Sequence, residues 1–384
     1  MSFDFDYIVL NVLMLMVFYL SGKNIQRGRS FWTSACWMII LFTFVLGSRY
    51  LRGTDYAHYS ADFYYSNVWG GQWAYSYLIS FLKSIGFDRY TCFHAYSFIE
   101  ILCSMVFLKK YAQYGKYIFP FFLIAVIKFD EYQVRQALSF SFVFLYMKYL
   151  FDLKLDRISI QSLIAKENIG IVSKAIACLF LATGIHSVNL MLALLITIIY
   201  FFVRFPLPCV FTIPLVFFCQ YAMAAVFDFS IFNKFLIYFQ NDDLVGIYVD
   251  NGNQWFSSAG YEEKYDRNVF VGLLECLGTC CLFYLGHRLI SRKCKLQEYV
   301  TMYNVFVLGI LFQMSFRKLE LLNRIGGDLA LMWFLPLSLV LYYRKDELFR
   351  GKRKILFWGL LWYAYEFIHY LFFRGNMTLF LWDK

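Results

Sequence analysis

Residues 187–203 read SVNLMLALLITIIYFFV, seventeen positions without a charge. As a helix rising 1.5 Å per residue, such a run covers about 25 Å, most of a bilayer's hydrocarbon core. Lipid offers no partner for backbone N–H and C=O groups, so a helix is the form in which a single segment crosses. Working outward from it, comparable segments lie near 7–20, 31–48, 92–108, 118–128, 135–151, 171–185, 207–227, 269–287, 299–316, 325–343 and 355–373. The expected fold is an all-α, polytopic transmembrane helical bundle of about twelve spans. It forms a single integral membrane domain over 1–384, with two larger outer-face loops at about 47–91 and 228–268.

Composition agrees. Of the 384 residues, 60% are hydrophobic and 16% charged, and the mean hydropathy is +0.54. A soluble domain carries about 25% charge to keep its surface wet, so a soluble globular class is excluded. The net charge of +10 does not mark a nucleic-acid binder, because the basic residues gather in short loops between apolar runs. The bilayer itself is the expected partner. Most of the ten cysteines, Cys178, Cys219, Cys276, Cys280 and Cys281 among them, sit inside apolar runs. They read as small buried side chains rather than as a disulfide framework or a zinc site. Tyr7–Leu20 follows Asp4 and Asp6 where a leader would carry basic charge, so it reads as the first span.

Alternate loops differ in charge. One side holds Lys23, Arg27 and Arg29, then Lys109, Lys110 and Lys116, then Lys154, Arg157, Lys166 and Lys174. It continues with Arg288, Arg292, Lys293 and Lys295 and closes with Arg344–Lys354. The positive-inside rule makes that side cytoplasmic and puts both termini outside. The opposite face still carries Arg49, Arg52, Arg89, Arg135, Arg267, Arg317, Arg324 and Arg374, together with many acidic residues. Charges at helix ends need a partner or a task. As a set, these point to a site for an anionic ligand on the outer face.

Four clusters carry the chemistry. Arg49-Tyr50-Leu51-Arg52-Gly53-Thr54-Asp55-Tyr56 with His58 and Tyr59 ends the second span. Its arginines, three apart, are expected on one helical face, their forks matched to phosphate oxygens, with a Gly53-Thr54 turn bringing Asp55 and Tyr56 over them. The second is Asp130-Glu131-Tyr132-Gln133-Val134-Arg135-Gln136 and the third is His186-Ser187 at a hairpin turn. The fourth is Arg317-Lys318-Leu319-Glu320 with Arg324, Gly326-Gly327-Asp328 and Pro336. In the loops, Trp73–Gly86 has the spacing of a helix lying in the membrane interface. Tyr238, Tyr248, Trp255, Phe256, Tyr261 and Tyr265 suit either sugar stacking or an interfacial belt.

In order along most of the chain, these residues resemble the EpsG-type family of Wzy-like polysaccharide polymerases. The resemblance rests on Arg52-Gly53-Thr54-Asp55-Tyr56 with Tyr59, on Arg135-Gln136, on His186-Ser187, and on Arg324 ahead of Pro336. The chain departs from the family pattern at Gly326-Gly327-Asp328 and at Gly70-Gly71-Gln72-Trp73. The resemblance implies a GT-C-like membrane glycosyltransferase joining undecaprenyl-diphosphate-linked oligosaccharide repeat units on the periplasmic face of the bacterial cytoplasmic membrane. A chain-length regulator and a flippase are the implied protein partners.

In that reaction an acceptor hydroxyl attacks an anomeric carbon and the lipid diphosphate leaves. Arg52, Arg135 and Arg324 are the candidates to stabilise the leaving phosphate, with Arg49 and Arg317 assisting. His186 and Asp55 are the candidates for proton acceptor, with Glu320 and Asp130 as alternatives. Tyr56, Tyr59, Gln136, Glu320 and Asp328 complete the expected substrate site. No cofactor or metal is expected, Asp242-Asp243 being too sparse an oxygen set for magnesium. A flippase for lipid-linked oligosaccharides would share the size and the cationic site, but would more often carry internal repeats and broken helices. A polytopic acyltransferase or a scaffold is a more distant reading.

Overall fold

A computed structural model describes residues 5–53, 55–66, 72–154, 165–223, 269–317, 320–372 and 379–383. The second outer loop with its six aromatic residues, Asp242-Asp243, Thr54, Gly70-Gly71 and Arg374 lie outside the described residues.

The described residues are helical. Among them the β pairing is limited to one isolated bridge between Arg49 and Phe380. The helices are α1 (Phe5–Gln26), α2 (Phe31–Gly47), α3 (Tyr56–Tyr65), α4 (Trp73–Ser84), α5 (Cys92–Leu108), α6 (Gly115–Tyr132) and α7 (Val134–Asp152). They continue as α8 (Lys166–Ile185), α9 (Val188–Phe202), α10 (Cys209–Phe217), α11 (Val269–Arg292) and α12 (Gln297–Ser315). The last are α13 (Glu320–Ala330), α14 (Phe334–Tyr342) and α15 (Arg353–Phe372). Among the described residues, six helical runs are long and apolar enough to cross a membrane: Phe5–Gln26, Cys92–Tyr132, Lys166–Ile185, Val269–Arg292, Leu322–Tyr342 and Arg353–Phe372. Phe31–Gly47, Val188–Phe202 and Cys209–Ala222 are apolar but shorter.

Several of the helices are apolar all round, unlike those of a soluble bundle. On α9, Leu192, Ala193, Ile196 and Ile199 are buried, while Met191, Leu194, Ile198 and Phe202 point outward. The polar Asn189 faces inward. A water-exposed helix distributes these the other way, so this is the pattern of a helix in lipid.

The chain divides into two compact units, one of residues 1–202 and 366–384 and the other of 203–365, the boundary falling within α15. In the first unit, α1 crosses α6 where Gly22 meets Gly115: a Cβ at Gly22 would stand 2.1 Å from the Gly115 carbonyl oxygen. Small residues let two backbones approach that closely. The α7 and α8 helices are joined by Ser139, whose Oγ donates to the Ala182 carbonyl at 2.6 Å. The first outer loop is folded. Its helices α3 and α4 bury Tyr56, Tyr59, Phe63, Tyr75, Ile79 and Leu82 against Phe93 and Tyr96 of α5 and Val134 and Leu138 of α7. The outward side of α4 carries Tyr77, Ser80, Phe81 and Ser84. In the second unit, α12 and α13 form a tight hairpin, Gly309 lying against the backbone of Ala330 and Gly326 against that of Gln313. Asn304 of α12 accepts from Leu207 N at 2.7 Å and donates to Phe205 O at 2.9 Å, fixing the entry to α10.

Candidate functional site

The Arg49–Gly53 stretch is not helical, which corrects the expectation that its arginines share a helix face. Helix α2 stops at Gly47, where a Cβ would stand 2.6 Å from His94, and the next residues turn inward. Leu51 and Gly53 have positive φ, 49° and 87°. Residues 379–383 run alongside: Tyr50 N donates to Leu379 O at 3.0 Å and Leu381 N to Ser48 O at 2.8 Å.

Both arginines of this corner are wholly buried. Arg49 donates from Nε to Leu46 O at 2.5 Å, from Nη1 to Asp130 O at 2.7 Å and from Nη2 to Ser97 Oγ at 3.1 Å. Arg52 pairs with the carboxylate of Glu131 and lies over the rings of Tyr7, 5.0 Å away, and Phe380, 4.5 Å away. Together they staple the end of α2 to the α6–α7 turn. Gly53 completes the joint, because a Cβ there would stand 2.0 Å from Glu131 O.

Beyond that turn, Arg135 sits in the first turn of α7. Its guanidinium lies 5.8 Å from the Tyr59 ring of α3 and 5.7 Å from the Tyr75 ring of α4. Unlike Arg52, it forms no ion pair among the described residues; its Nε and Nη1 are buried without a hydrogen-bond acceptor, whereas Arg52 leaves only its Nε so. Native structures rarely leave buried donors so, and exceptions call for an explanation such as a ligand. Tyr56 OH, Gln72 Oε1 and Gln133 Oε1, on the same group of elements, are likewise buried without a partner. Asp62 of α3 approaches His58 Nε2 at 3.6 Å. Burial raises the pKa of Asp62, and the charges of His58 and Arg135 oppose that rise. Asp55 stands at the N-terminal cap of α3, half-buried, and its side chain makes no capping bond.

His186 lies in the turn between α8 and α9, and the turn is tied to the Arg135 end of α7. Asn189 Nδ2 donates to Ser139 Oγ at 2.6 Å and to Gln136 O at 3.4 Å. Gly184 packs on Trp73 of α4, with space for no Cβ. The second and third sequence clusters are thus clamped together, beneath α3 and α4.

The fourth cluster belongs to the second unit. Arg317 donates to Gln220 Oε1 at 2.9 Å and Glu275 Oε2 at 2.5 Å. Glu320 opens α13, and Arg324 and Asp328 follow one turn apart on it, Arg324 half-buried and Asp328 buried. Among the described residues, no group of three or more His, Cys, Asp or Glu is gathered for a metal ion.

The order of these elements along the chain, from the Arg52-Gly53 corner to the α13 arginine, has a counterpart. A model of the EpsG family matches residues 32–381. The chain belongs to the EpsG family. No curated protein and no solved structure matches it. The EpsG match runs through both units and all four clusters, and membership suggests a membrane polysaccharide polymerase.

Sequence reasoning missed several residues of this EpsG-family site. Glu131 is named in the second cluster, but not as the partner of Arg52, which lies 79 positions away, and Phe380, which caps the same guanidinium, lies farther still. Asp62 and Tyr75 sit in the loop helices, which carry no strong motif. The Phe380 contact is testable. A desolvated cation–π contact contributes about 2 kcal/mol, so Phe380→Leu, which keeps apolar bulk without the ring, is expected to lose about that much stability. Phe380→Tyr should lose little. Thermal unfolding of both variants in detergent makes the comparison, and equal losses would mean the ring acts by volume alone.

Proposed function

We propose that this EpsG-family chain is a membrane glycosyltransferase that polymerises oligosaccharide repeat units carried on undecaprenyl diphosphate. The observation that carries the reading is Arg135: a guanidinium with no ion pair among the described residues, its Nε and Nη1 without an acceptor, held between two tyrosine rings. A buried positive charge with free donors suits a phosphate, and flanking aromatic faces suit sugar rings.

In this reading the acceptor hydroxyl attacks the anomeric carbon of the donor glycan. The bond from that carbon to the diphosphate oxygen breaks, and the electron pair leaves with the lipid diphosphate. Charge grows on that oxygen in the transition state, where prearranged donors act most strongly. Arg135 supplies them directly. Arg49, bonded through all three of its nitrogens, and Arg52, paired with Glu131, serve by holding the α2 end and the α6–α7 turn in place. His186 or Asp55 takes the hydroxyl proton. Tyr56, Tyr59 and Gln136 line the same end of the first unit. On the second unit, Arg324 stays a candidate for contact with lipid diphosphate, and Arg317, Glu320 and Asp328 stay candidates for substrate binding.

Around this chemistry the proposed architecture is GT-C-like with about twelve crossings. The Cys92–Tyr132 run supports more than six crossings: its 41 residues are about twice a bilayer's thickness, and it kinks at Tyr111. The basic loops support a cytoplasmic face opposite the site, which then faces the periplasm of a bacterial inner membrane.

The deciding experiment supplies purified protein with synthetic undecaprenyl-diphosphate repeat units. A ladder of lengthening lipid-linked glycans is the expected result. Movement of the lipid across liposomes without any ladder would replace the polymerase with a flippase.

A further inference from the structure

Below the Arg49–Arg52 corner, α5, α6 and α7 enclose a small cavity lined by Glu100, Asp130, Ser104 and Ser141 and otherwise mainly by apolar side chains such as Phe122 and Phe140. Glu100 is 3% exposed, lines this cavity, and neither of its carboxylate oxygens accepts a hydrogen bond. Ser141 has its hydrogen committed to Leu138 O at 2.7 Å, so it presents lone pairs to the cavity. The lining therefore offers oxygens in excess of donors.

The charges around it do not balance. Among the described residues, two buried arginines and three buried carboxyl groups meet here: Arg49, Arg52, Glu100, Asp130 and Glu131. Arg52 is matched by Glu131. Arg49 remains near two carboxylates, Glu100 and Asp130, while its own hydrogen bonds go to Leu46 O, Asp130 O and Ser97 Oγ. With both carboxylates ionised the group carries one excess negative charge. An uncompensated charge in such surroundings costs several kcal/mol. One positive charge removes the imbalance.

We propose that Glu100 and Asp130, with Ser104 and Ser141, form a binding site for a single exchangeable monovalent cation, a proton or a sodium ion. Both sources share the same chemistry: one positive charge accepted between carboxylate and hydroxyl oxygens. The site is independent of the substrate reading above, since none of its four residues is given a part in that reaction. Among the described residues, Arg49 from the α2–α3 link, Asp130 from α6 and Glu100 from α5 are the charged groups facing it, the Cys103 thiol of α5 lies beside Glu100 and Ser141, and α7 contributes Ser141.

Thermal unfolding of the full chain in detergent tests the site for wild type and Glu100→Gln. The comparison uses sodium against choline chloride at equal ionic strength, at about pH 6 and about pH 8.5. If the cation is sodium, wild type melts higher in sodium than in choline and Glu100→Gln does not. Sodium at about 100 times its Kd shifts the folding constant about 100-fold. If it is a proton, sodium has no effect. The folded state then holds a proton that the unfolded chain releases, so wild type loses stability as pH rises, by up to tenfold in the folding constant per pH unit, and Glu100→Gln flattens that slope. A gap between wild type and variant that stays constant across all four conditions overturns the proposal. Should Glu100→Gln fail to fold, Asp130→Asn takes its place, and infrared spectra of wild type add a direct readout. A protonated-carboxyl band that disappears at alkaline pH or in sodium supports the site; wild type with neither this band nor a sodium effect overturns it.

Discussion

Arg135→Ala is expected to slow glycan elongation by about 10²–10³-fold, the loss typical of removing a charge-stabilising donor from a transition state, while leaving the protein folded. Both halves follow from the same geometry. The guanidinium forms no ion pair among the described residues, so its removal orphans no carboxylate bonded to it. What is lost is its contact with Tyr59 and Tyr75 and whatever charge it meets in the reaction. Arg135→Lys should recover part of the rate, because it restores the charge but not the planar fork. The measurement is single-turnover elongation with synthetic lipid-linked repeat units, with melting temperature in detergent as the control. An Arg135→Ala protein that melts normally and elongates at the wild-type rate would remove Arg135 from the chemistry. Arg52→Ala is predicted to behave differently: it removes the buried cation paired with Glu131 and the contacts with the Tyr7 and Phe380 rings, so its activity falls together with its stability.

That contrast could not be read from the sequence. Arg52 and Arg135 both stand near the ends of apolar segments on the same expected face, and both fall in short motifs. Their difference depends on what surrounds each one. Glu131 and Phe380 come to Arg52 from remote stretches of chain, and no local spacing encodes such a meeting. The helical fold, by contrast, was legible because it is local: apolar runs free of charge dictate helices in lipid, and the described part of each of the twelve apolar segments is mainly helix. Helix α3 shows where local reading stops. Tyr56–Tyr65 mixes Ala57, His58, Ser60 and Asp62 among aromatics and looks like loop. Its helix is held from outside, by Tyr56 stacked on Phe93 at 4.7 Å and by Phe63 in the core. The arginine spacing at Arg49 and Arg52 misled for a related reason. A three-residue interval describes a helix face only if the helix continues, and Gly47 ends it against His94.

The second large effect is expected at Gly53, where a single methyl group should disable the protein. The residue has φ of 87°, a region that costs an L-residue about 1–2 kcal/mol. Strain alone would be tolerable. The decisive feature is the backbone of Glu131, whose carbonyl oxygen would lie 2.0 Å from the new Cβ, and a backbone cannot rotate aside as a side chain does. To make room, the α6–α7 turn must move, and with it the carboxylate that pairs with Arg52. Breaking a buried pair costs about 3–5 kcal/mol, so Gly53→Ala should lose more than about 4 kcal/mol in all and either fail to accumulate or yield inactive protein. Gly86 provides the control. Its φ is 93°, equally strained for alanine, but no atom lies within 4 Å of the position a Cβ would take. Gly86→Ala thus isolates the backbone strain and should cost only about 1–2 kcal/mol. Size-exclusion profiles and melting temperatures of the two variants in detergent separate strain from contact. If they coincide, the Gly53–Glu131 joint is slack and does not lock the Arg52 corner to the turn that carries Arg135. If Gly53→Ala alone collapses, the glycine of the Arg-Gly-Thr-Asp element is there because two stretches of backbone meet at it, and the neighbouring arginine depends on that meeting for its position.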